Sequence, residues 1–421
     1  MLLPNKKKDF LTKFFICQTL LLVFWQWYVI KQSICNDTGH SSHMAAYPKQ
    51  RRQSRESYMD GVLIRTFRAW SNSLPLPCGR ADPKRWSIPE VSRSPTREGI
   101  LFAKEMKTGS STVSGITLRI ARNLAKRMQQ NVMCDSRFDH WPAVEMAFIN
   151  RDIDKSFLFT VIRNPMNRIT SQFFHFQVSR KKLEPSDRNF IDYFEQNLYM
   201  QDYYLKDLAL IPPNDMKLKK LIHFYDPTEI AQDKLHKLRL KLINDIMSGY
   251  DFIGISERMD ESLVVLMLLL RLKISDIIYL RAKSSGSFDD GAFNNTCIYI
   301  VPSFVSPGMT QYFDSQEYIN RSKGDWMLYE AAKKSLDMTI EMLGQDTFQL
   351  YLRQFKAAQK IVQERCSQNI RYPCSASGVR APYRRHHDPA TDCLWLDSGC
   401  GYKCLDGLEA EIDSMIANGE Y

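Results

Sequence analysis

From residue 99 onward, short apolar runs alternate with amphipathic stretches, and this alternation limits the fold more than any other feature of the chain. Residues 99–103 (Gly-Ile-Leu-Phe-Ala) and 156–162 (Ser-Phe-Leu-Phe-Thr-Val-Ile) have the apolar, β-branched and aromatic composition of strands buried on both faces. Residues 113–128 repeat an apolar side chain at about every turn of a helix. The pattern predicts an α/β domain over residues 98–365, with a P-loop-like, doubly wound parallel sheet and flanking helices.

Other segments extend this alternation toward the C-terminus. The remaining expected elements are a helix from Asn164-Pro165 to Phe176, strands over residues 250–255 and 276–280, a helix over residues 261–272 capped by Asp260, and long helices over residues 323–365.

The N-terminus predicts a membrane anchor. Residues 10–30 carry one charge, Lys13, and the stretch from Phe14 to Ile30 carries none. That stretch is about 25 Å long as a helix, at the short end of what spans a bilayer. The basic residues within 1–9 place the tail in the cytosol and the rest of the chain in the lumen. We therefore expect a single-pass type II protein of the Golgi membrane. A cleaved signal peptide is the alternative, although it needs small residues where this chain has aromatic ones.

Residues 31–97 are rich in Ser, Pro and Arg, and they predict an extended luminal stem with one short helix in the apolar patch of residues 62–70. Residues 366–421 form a C-terminal extension that holds five of the ten cysteines. In an oxidising lumen these predict disulfides, of undetermined pairing. The five are Cys366, Cys374, Cys393, Cys400 and Cys404. Glycosylation motifs occur at Asn36, Asn294 and Asn320.

The distribution of charge bears on the class of partner. The chain has 57 Lys and Arg against 47 Asp and Glu, a formal net charge of +10. The whole excess lies in residues 1–97, because residues 98–421 hold 41 residues of each sign. This distribution argues against nucleic acid as a partner. Hydrophobic residues at 44% and charged residues at 25% argue against wholesale disorder and against a polytopic membrane protein.

Residues 104–112 (Lys-Glu-Met-Lys-Thr-Gly-Ser-Ser-Thr) join the first predicted strand to the first predicted helix, and we call them the phosphate loop. Glycine allows tight backbone geometry, amides and hydroxyls can bind phosphate oxygens, and a helix N-terminus favours an anion. The candidate binding residues are Lys107, Thr108, Gly109, Ser110, Ser111 and Thr112. The order is not that of a Walker A loop, because Lys-Thr precedes the glycine. A capped turn with surface lysines is the alternative.

A second basic element follows the strand of residues 156–162. Arg163 stands at the carboxyl end of that strand, the edge where open α/β sheets bind ligands. Ser171 lies two helical turns beyond Asn164 and can face back toward Arg163. A guanidinium and a hydroxyl suit a second phosphate. The alternative is an arginine that caps the helix, with a solvated serine.

Together, Lys-Thr-Gly-Ser-Ser-Thr and Ile-Arg-Asn-Pro-x-x-Arg-x-x-Ser resemble the two signatures with which Golgi carbohydrate sulfotransferases bind 3′-phosphoadenosine 5′-phosphosulfate (PAPS). Residues 250–266 resemble a third stretch, typical of the galactosylceramide and galactose-3-O-sulfotransferases, the most similar family. The chain departs from that family at Met106, where His is usual, and at Asn164, where Asp is usual. The resemblance implies PAPS as co-substrate, no metal, and transfer of a sulfuryl group to a sugar hydroxyl, with galactose 3-OH of a glycolipid or glycan as first choice.

The resemblance also implies roles for the site residues. Lys107 would bond the bridging oxygen of the phosphosulfate and stabilise the departing nucleotide, and residues 109–112 would hold the 5′-phosphate. Arg163 and Ser171 would hold the 3′-phosphate.

The base that accepts the proton of the acceptor hydroxyl is a separate question. His140 lies between the two signatures, a layout that resembles the related uronyl sulfotransferases with their catalytic histidine. Imidazole can take up a proton near neutral pH, which suits this role. A structural histidine beside Trp141 is the alternative, and Glu145 and Glu105 are the other candidate bases.

Several functions and partners stay open at this stage. The expected partners are a glycolipid or glycan acceptor and the membrane, and a homodimer is left open. One other function is sulfation of uronic acid or another polysaccharide. Another is a type II glycosyltransferase, whose metal would be held by Asp152 and Asp154. A third is a membrane-tethered binding protein that keeps the fold without activity.

Overall fold

The computed structural model describes residues 55–70, 98–128, 136–212, 214–281, 285–289, 296–367, 374–380, 392–395 and 398–421. The predicted anchor, most of the predicted stem, and the glycosylation motifs at Asn36 and Asn294 lie outside these residues. Within the described part of the chain, no helix has the length and apolar character needed to cross a membrane.

The described elements alternate between strand and helix over the first half of the α/β domain and become mainly helical after it. In chain order they are β1 (Glu56–Met59), β2 (Val62–Arg65), β3 (Gly99–Ala103), α1 (Ser110–Arg127), β4 (Ser136–Asp139), β5 (Ser156–Ile162), α2 (Pro165–Phe173), a π-helical segment (Phe174–Arg180), α3 (Asp187–Glu195), α4 (Tyr203–Leu208), α5 (Met216–Phe224), α6 (Gln232–Gly249), β6 (Phe252–Ile255), α7 (Met259–Leu270), α8 (Ile274–Ile277), α9 (Pro307–Phe313), α10 (Gln316–Leu343), α11 (Gln345–Cys366), β7 (Cys393–Trp395), β8 (Gly399–Cys400), α12 (Tyr402–Gly407) and α13 (Glu409–Asn418).

The central sheet is parallel, with the strand order β4-β3-β5-β6. Ala103 of β3 lies opposite Asp139 of β4 on one side and Thr160 of β5 on the other. The chain moves one way from β3 to β4 and the other way from β5 to β6. With right-handed crossovers, α1 and the α2–α6 segment therefore cover opposite faces of the sheet. The expected α/β fold with a parallel sheet and flanking helices is confirmed.

Residues 55–70, which the sequence predicted as part of an extended stem, belong to the folded domain instead: residues 56–58 are exposed, and the core residues begin at Val62. The expected short helix at residues 62–70 is wrong, because β1 and β2 form an antiparallel hairpin there. Phe67 and Trp70 are buried, and the Trp70 amide donates to the Leu269 carbonyl at 2.8 Å. Arg65 donates to the Met247 carbonyl at 2.6 Å. The contacts come from distant parts of the chain, which a local pattern does not reveal.

Two other local expectations differ from the structure. The strand expected over residues 276–280 is wrong. Residues 274–277 form a helical turn, in which Asp276 accepts the Lys273 amide at 2.9 Å and pairs with Arg127 at 2.8 Å, and residues 278–280 have no regular structure. Asp260 does not cap α7. It lies inside the helix and accepts the Tyr279 hydroxyl at 2.9 Å.

The described cysteines of the C-terminal extension all form disulfides, as the sequence predicted. The pairs are Cys297–Cys374, Cys366–Cys404 and Cys393–Cys400. The third glycosylation motif is poorly suited to modification, because Asn320 lies within α10 and the hydroxyl of Ser322 is buried against the Tyr318 carbonyl.

Candidate functional site

The candidate site lies at the carboxyl edge of the sheet. All four parallel strands end there, and their following connections stand side by side in the order of residues 140–142, the phosphate loop, residues 163–164 and residues 256–258. The chain departs in opposite directions after β3 and after β5. This is the position at which open α/β sheets bind ligands.

The phosphate loop turns sharply into α1. Lys107 and Gly109 both have left-handed backbone conformations, with φ values of 65° and 79°. A Cβ at Gly109 would also lie 2.9 Å from Cε of Met259, so space and backbone conformation both favour glycine. Thr108 is wholly buried and donates its hydroxyl to the Glu105 carbonyl at 3.1 Å. The Thr108 side chain therefore shapes the loop.

The first turn of α1 contains Ser110, Ser111 and Thr112. Ser110 is buried, and the other two side chains are half-buried. The turn contains no acidic residue, and the residue at its N-cap is Gly109, which has no side chain to cap the helix. The amides of such a turn, together with the helix dipole, favour an anion. This end of α1 fits a phosphate group.

Arg163 lies directly beside the phosphate loop. Its Nη1 donates to the Lys107 carbonyl at 3.2 Å. Tyr204 holds the Arg163 backbone on both sides, because its phenol oxygen accepts the amide at 2.9 Å and donates to the carbonyl at 2.7 Å. Each of these hydrogen bonds stabilises the fold by about 0.5–1.5 kcal/mol. Burial raises the pKa of Tyr204 well above its usual value, so the phenol keeps its proton. The two sequence signatures therefore meet in space.

His140 follows β4 at the same edge of the sheet. Its Nδ1 lies 2.7 Å from the Lys104 carbonyl, and the ring is half-buried. A carbonyl oxygen can only accept a hydrogen bond, so Nδ1 carries the hydrogen and the lone pair of the neutral ring is on Nε2. This contact holds the imidazole next to the first residue of the phosphate loop.

Residues 94–293 match the sulfotransferase family model. The matched region covers slightly less than half of the chain and contains the phosphate loop, His140 and Arg163. The match supports a place in the sulfotransferase superfamily, and with it transfer of a sulfuryl group as the general reaction. Sulfotransferases in general use PAPS. No curated protein and no solved structure shows significant similarity to the chain.

Glu105, one of the candidate bases, belongs to the phosphate loop, and its side chain is wholly buried. Burial, and then the charge of Asp207, raise the pKa of its carboxyl well above the usual range. Asp207 accepts the Tyr203 hydroxyl at 3.1 Å and a second hydrogen bond from Tyr199. Glu105 is therefore a buried carboxyl inside a polar cluster, a poor position for a base that must reach an acceptor hydroxyl.

Met106, the residue after Glu105, contacts the same cluster. Its amide lies 3.4 Å from the Tyr203 hydroxyl, and its Sδ accepts the Gln172 amide at 3.7 Å. Gln172 itself is buried on α2. Met106 therefore links the loop to α2 by packing, a contact that a hydrophobic thioether suits.

Arg168 and Ser171 both lie on α2 but differ in their surroundings. Arg168 is wholly buried, with its guanidinium carbon 3.9 Å from the centre of the Tyr203 ring. A cation over an aromatic ring stabilises the fold, so Arg168 is a structural residue of the cluster. Ser171 is half-buried, and its hydroxyl makes no hydrogen bond to another described residue. The role of Ser171 as a phosphate ligand stays a prediction.

The remaining candidates lie away from this centre. Glu145 is exposed and paired with Lys219 of α5. Asp152 and Asp154 precede β5, at the amino edge of the sheet, and Asp152 lies 3.6 Å from the Lys155 ammonium. Among the described residues, no cluster of three or more His, Cys, Asp or Glu side chains could hold a metal ion.

Sequence reasoning assigned no role to Glu257 or Tyr204. Glu257 follows β6 and lies with its Oε1 3.8 Å from Nε of Arg163. The signal for Glu257 was its place two residues after a buried strand, close to the position that drew attention to Arg163. Tyr204 had no comparable signal, because it reaches Arg163 from 41 residues away.

Proposed function

We propose that this chain transfers the sulfuryl group of PAPS to a sugar hydroxyl, with galactose 3-OH of a galactosylceramide-type glycolipid or of a glycan as the first choice. The observation that carries the proposal is the 3.2 Å hydrogen bond from Arg163 to the Lys107 carbonyl. It joins the expected 3′-phosphate site to the expected 5′-phosphate site at the one edge of the sheet where a nucleotide can reach both.

The order of the strands gives the nucleotide a direction. The 5′-phosphosulfate would lie over the N-terminus of α1, and the 3′-phosphate would lie toward β5 and β6, near Arg163 and Ser171. The sulfuryl end would then point toward β4, where His140 is held by the Lys104 carbonyl. Acceptor and nucleotide would thus enter from opposite sides, as an in-line displacement needs.

The residues at this edge of the sheet account for each bond and for the proton that move in the reaction. The acceptor oxygen forms a bond to sulfur while its proton passes to Nε2 of His140. The bond between sulfur and the bridging oxygen breaks, and its electron pair stays on the 5′-phosphate of adenosine 3′,5′-bisphosphate. The Lys107 ammonium and the α1 amides neutralise the charge that develops there, the type of stabilisation that usually contributes most to catalysis.

Two features support a sugar as the acceptor. Trp141, next to His140, has 54% of its surface exposed, although its neighbour Ala143 is held by the Asp207 carbonyl at 2.7 Å. An exposed indole on a fixed backbone offers a flat apolar face on which a pyranose ring can stack. The formal neutrality of residues 98–421 favours an uncharged galactosyl acceptor.

A uronic-acid polysaccharide is the second candidate acceptor. The observation that favours it is a set of lysines on α5. One of them, Lys219, forms an ion pair with Glu145, in the segment that follows β4. Lys217 and Lys220 on the same helix are exposed. The glycosyltransferase alternative is disfavoured, because Asp152 and Asp154 lie at the opposite edge of the sheet from the phosphate loop.

We further propose that the protein is a single-pass type II protein of the Golgi membrane with a luminal catalytic domain. The disulfides Cys297–Cys374 and Cys366–Cys404 support an oxidising compartment. The apolar stretch of residues 10–30 would supply the anchor.

The test is a transfer assay with the full-length chain in detergent, radiolabelled PAPS, and a panel of galactosyl lipids, glycans and uronic-acid polysaccharides. Lys107→Ala should lower kcat by about 10²–10³-fold, because it removes charge from the leaving phosphate. His140→Asn, which can still donate to the Lys104 carbonyl, should lower kcat by about 10²–10⁴-fold and leave PAPS binding intact. Lys155→Ala, an exposed lysine at the amino edge, is the matched control.

Absence of PAPS binding, or equal turnover in Lys107→Ala and Lys155→Ala, would overturn the proposed reaction. Transfer to the uronic-acid polymers alone would replace the galactosyl acceptor by the second candidate.

A further inference from the structure

Glu257 occupies the end of β6 and makes an unusual set of contacts with the loop after β5. Its Oε1 accepts the Asn164 amide at 3.0 Å and the Asn167 side-chain amide at 3.4 Å. Its Oε2 accepts the Tyr329 hydroxyl at 3.3 Å. Nε of Arg163 lies 3.8 Å from Oε1. One carboxylate therefore joins three elements: the end of β5, the start of α2 and the middle of α10.

These contacts place a carboxylate beside the N-cap residue of α2. Asn164 caps α2 through its own side chain, which accepts the Asn167 amide at 3.2 Å, and Glu257 accepts the Asn164 amide from outside. A carboxylate at a helix N-terminus is stabilised by the helix dipole. We therefore expect a 3′-phosphate to be bound by the Arg163 side chain, on the side that faces the phosphate loop, and not by the first turn of α2.

The Arg163 guanidinium is held at two of its edges. Nη1 donates to the Lys107 carbonyl at 3.2 Å, and Nε faces Glu257. Nη2 makes no hydrogen bond to another described residue. A guanidinium is rigid and planar, so the positions of Nη1 and Nε determine the direction in which Nη2 points. About 32% of the Arg163 side chain is exposed, which leaves it accessible to a ligand.

We propose that Glu257 is a positioning residue for the nucleotide: it holds Arg163 in the orientation that binds the 3′-phosphate. The proposal rests on the proposed function, because it assumes that Arg163 binds this phosphate. Glu257 itself does not touch the nucleotide. Its effect on binding passes through Arg163 and through the first turn of α2.

Removing the Glu257 carboxylate has two opposing effects on phosphate binding. The loss of a negative charge near a phosphate favours binding. The loss of the Arg163 partner, in contrast, lets a long side chain sample other rotamers, and the Asn164 amide at the N-cap of α2 loses its acceptor. A carboxylate cap and an ordered rotamer both stabilise the arrangement that binds the phosphate. Solvent screens the repulsion between exposed charges. We therefore expect weaker binding in the variant.

The experiment is isothermal titration calorimetry of the full-length chain with adenosine 3′,5′-bisphosphate and with adenosine 5′-monophosphate. Glu257→Ala should weaken binding of the bisphosphate about tenfold, and Glu257→Gln about threefold, because glutamine keeps an acceptor for the Asn164 amide. Binding of the monophosphate should be unchanged in both. The matched control is Glu330→Gln, because Glu330 is a carboxylate of α10 that accepts a hydrogen bond from Lys333 on the same helix.

The decisive comparison adds Arg163→Ala. In that background Glu257 has no guanidinium to hold, so Glu257→Ala should cause no further loss and should slightly strengthen bisphosphate binding by relieving repulsion. This reversal of sign separates positioning from a general effect on folding.

Equal losses for both nucleotides, additive losses with Arg163→Ala, or tighter bisphosphate binding by Glu257→Ala alone would overturn the positioning role. If bisphosphate binds the parent chain and Arg163→Ala weakens it, the proposed function stands even where the Glu257 variants fail. If the parent chain binds no bisphosphate, both proposals fall.

Discussion

Glu105 shows how a residue beside the site can control stability through its proton. Its carboxyl is 1% exposed and lies against Asp207, an arrangement that holds the pKa well above the 4.5 of an exposed glutamic acid. The folded chain therefore keeps a proton that the unfolded chain releases above that pH. The contribution of Glu105 to the free energy of unfolding is therefore complete below pH 4.5 and is lost as the pH rises toward the raised pKa.

We expect Glu105→Gln to remove part of this pH dependence, because glutamine can donate to Asp207 without titrating. Between about pH 5 and about pH 8, the free energy of unfolding should decline more steeply for the parent chain, by up to about 1.4 kcal/mol per pH unit for one group. Urea unfolding across this range measures it. Glu98→Gln, at an exposed carboxylate paired with Lys155, is the control. Parallel curves for parent and Glu105→Gln would contradict the assignment.

At the scale of elements, α1 combines two functions in one helix. Its N-terminus belongs to the phosphate loop, while its side is covered by the C-terminal extension. Arg119, wholly buried, donates to the Ile278 carbonyl at 2.9 Å and lies 3.3 Å from Glu409. Arg122 pairs with Asp406. Contacts of α12 and α13 with the side of α1 thus hold the helix whose N-terminus is the expected 5′-phosphate site.

Gly115 is the position where this support can be tested. A Cβ there would lie 1.6 Å from the Tyr402 hydroxyl and 2.4 Å from the Ser398 carbonyl. Gly115→Ala should therefore displace the extension and lower the free energy of unfolding by about 1–3 kcal/mol. Chemical denaturation measures this loss.

The matched control is Gly407→Ala at the end of α12, where nothing lies within 4 Å of the added Cβ. We expect its stability to change by no more than about 0.5 kcal/mol. Equal losses at the two glycines would show that the effect comes from helix conformation and not from the packing of the extension.

At the scale of the whole molecule, the folded domain begins before the α/β pattern does. Val62, Leu63, Phe67 and Trp70 belong to the core, and the Phe67 amide donates to Thr339 of α10 at 2.9 Å. A fragment that starts at residue 98 would leave this apolar surface of α6, α7 and α10 exposed. Exposed patches of this kind lead to aggregation.

We therefore expect a fragment of residues 52–421 to be soluble and to unfold cooperatively, and a fragment of residues 98–421 to aggregate. Size-exclusion chromatography and thermal unfolding by circular dichroism distinguish them. Within the longer fragment, Phe67→Ala should cost about 3–5 kcal/mol. Indistinguishable melting of the two fragments would show that the hairpin is dispensable.

Local patterns were sufficient for the strands that form the site. Residues 99–103 and 156–162 were predicted with the bounds that β3 and β5 have, because a buried strand requires a continuous apolar run. The phosphate loop and Arg163 were found by their place after these strands. The start of α1 was predicted three residues late, because Ser110, Ser111 and Thr112 carry no apolar periodicity.

The tertiary structure decided which side chains act together. Nothing local distinguishes Glu105 from an accessible base, since its burial comes from Tyr203 and Asp207, about a hundred residues away. The same holds for Glu257, which reaches Asn164 across 93 residues, and for the hairpin of residues 55–70. Periodicity is a property of neighbouring residues, whereas burial, the partner of a charge and the direction of a guanidinium depend on contacts that form only when the chain has folded.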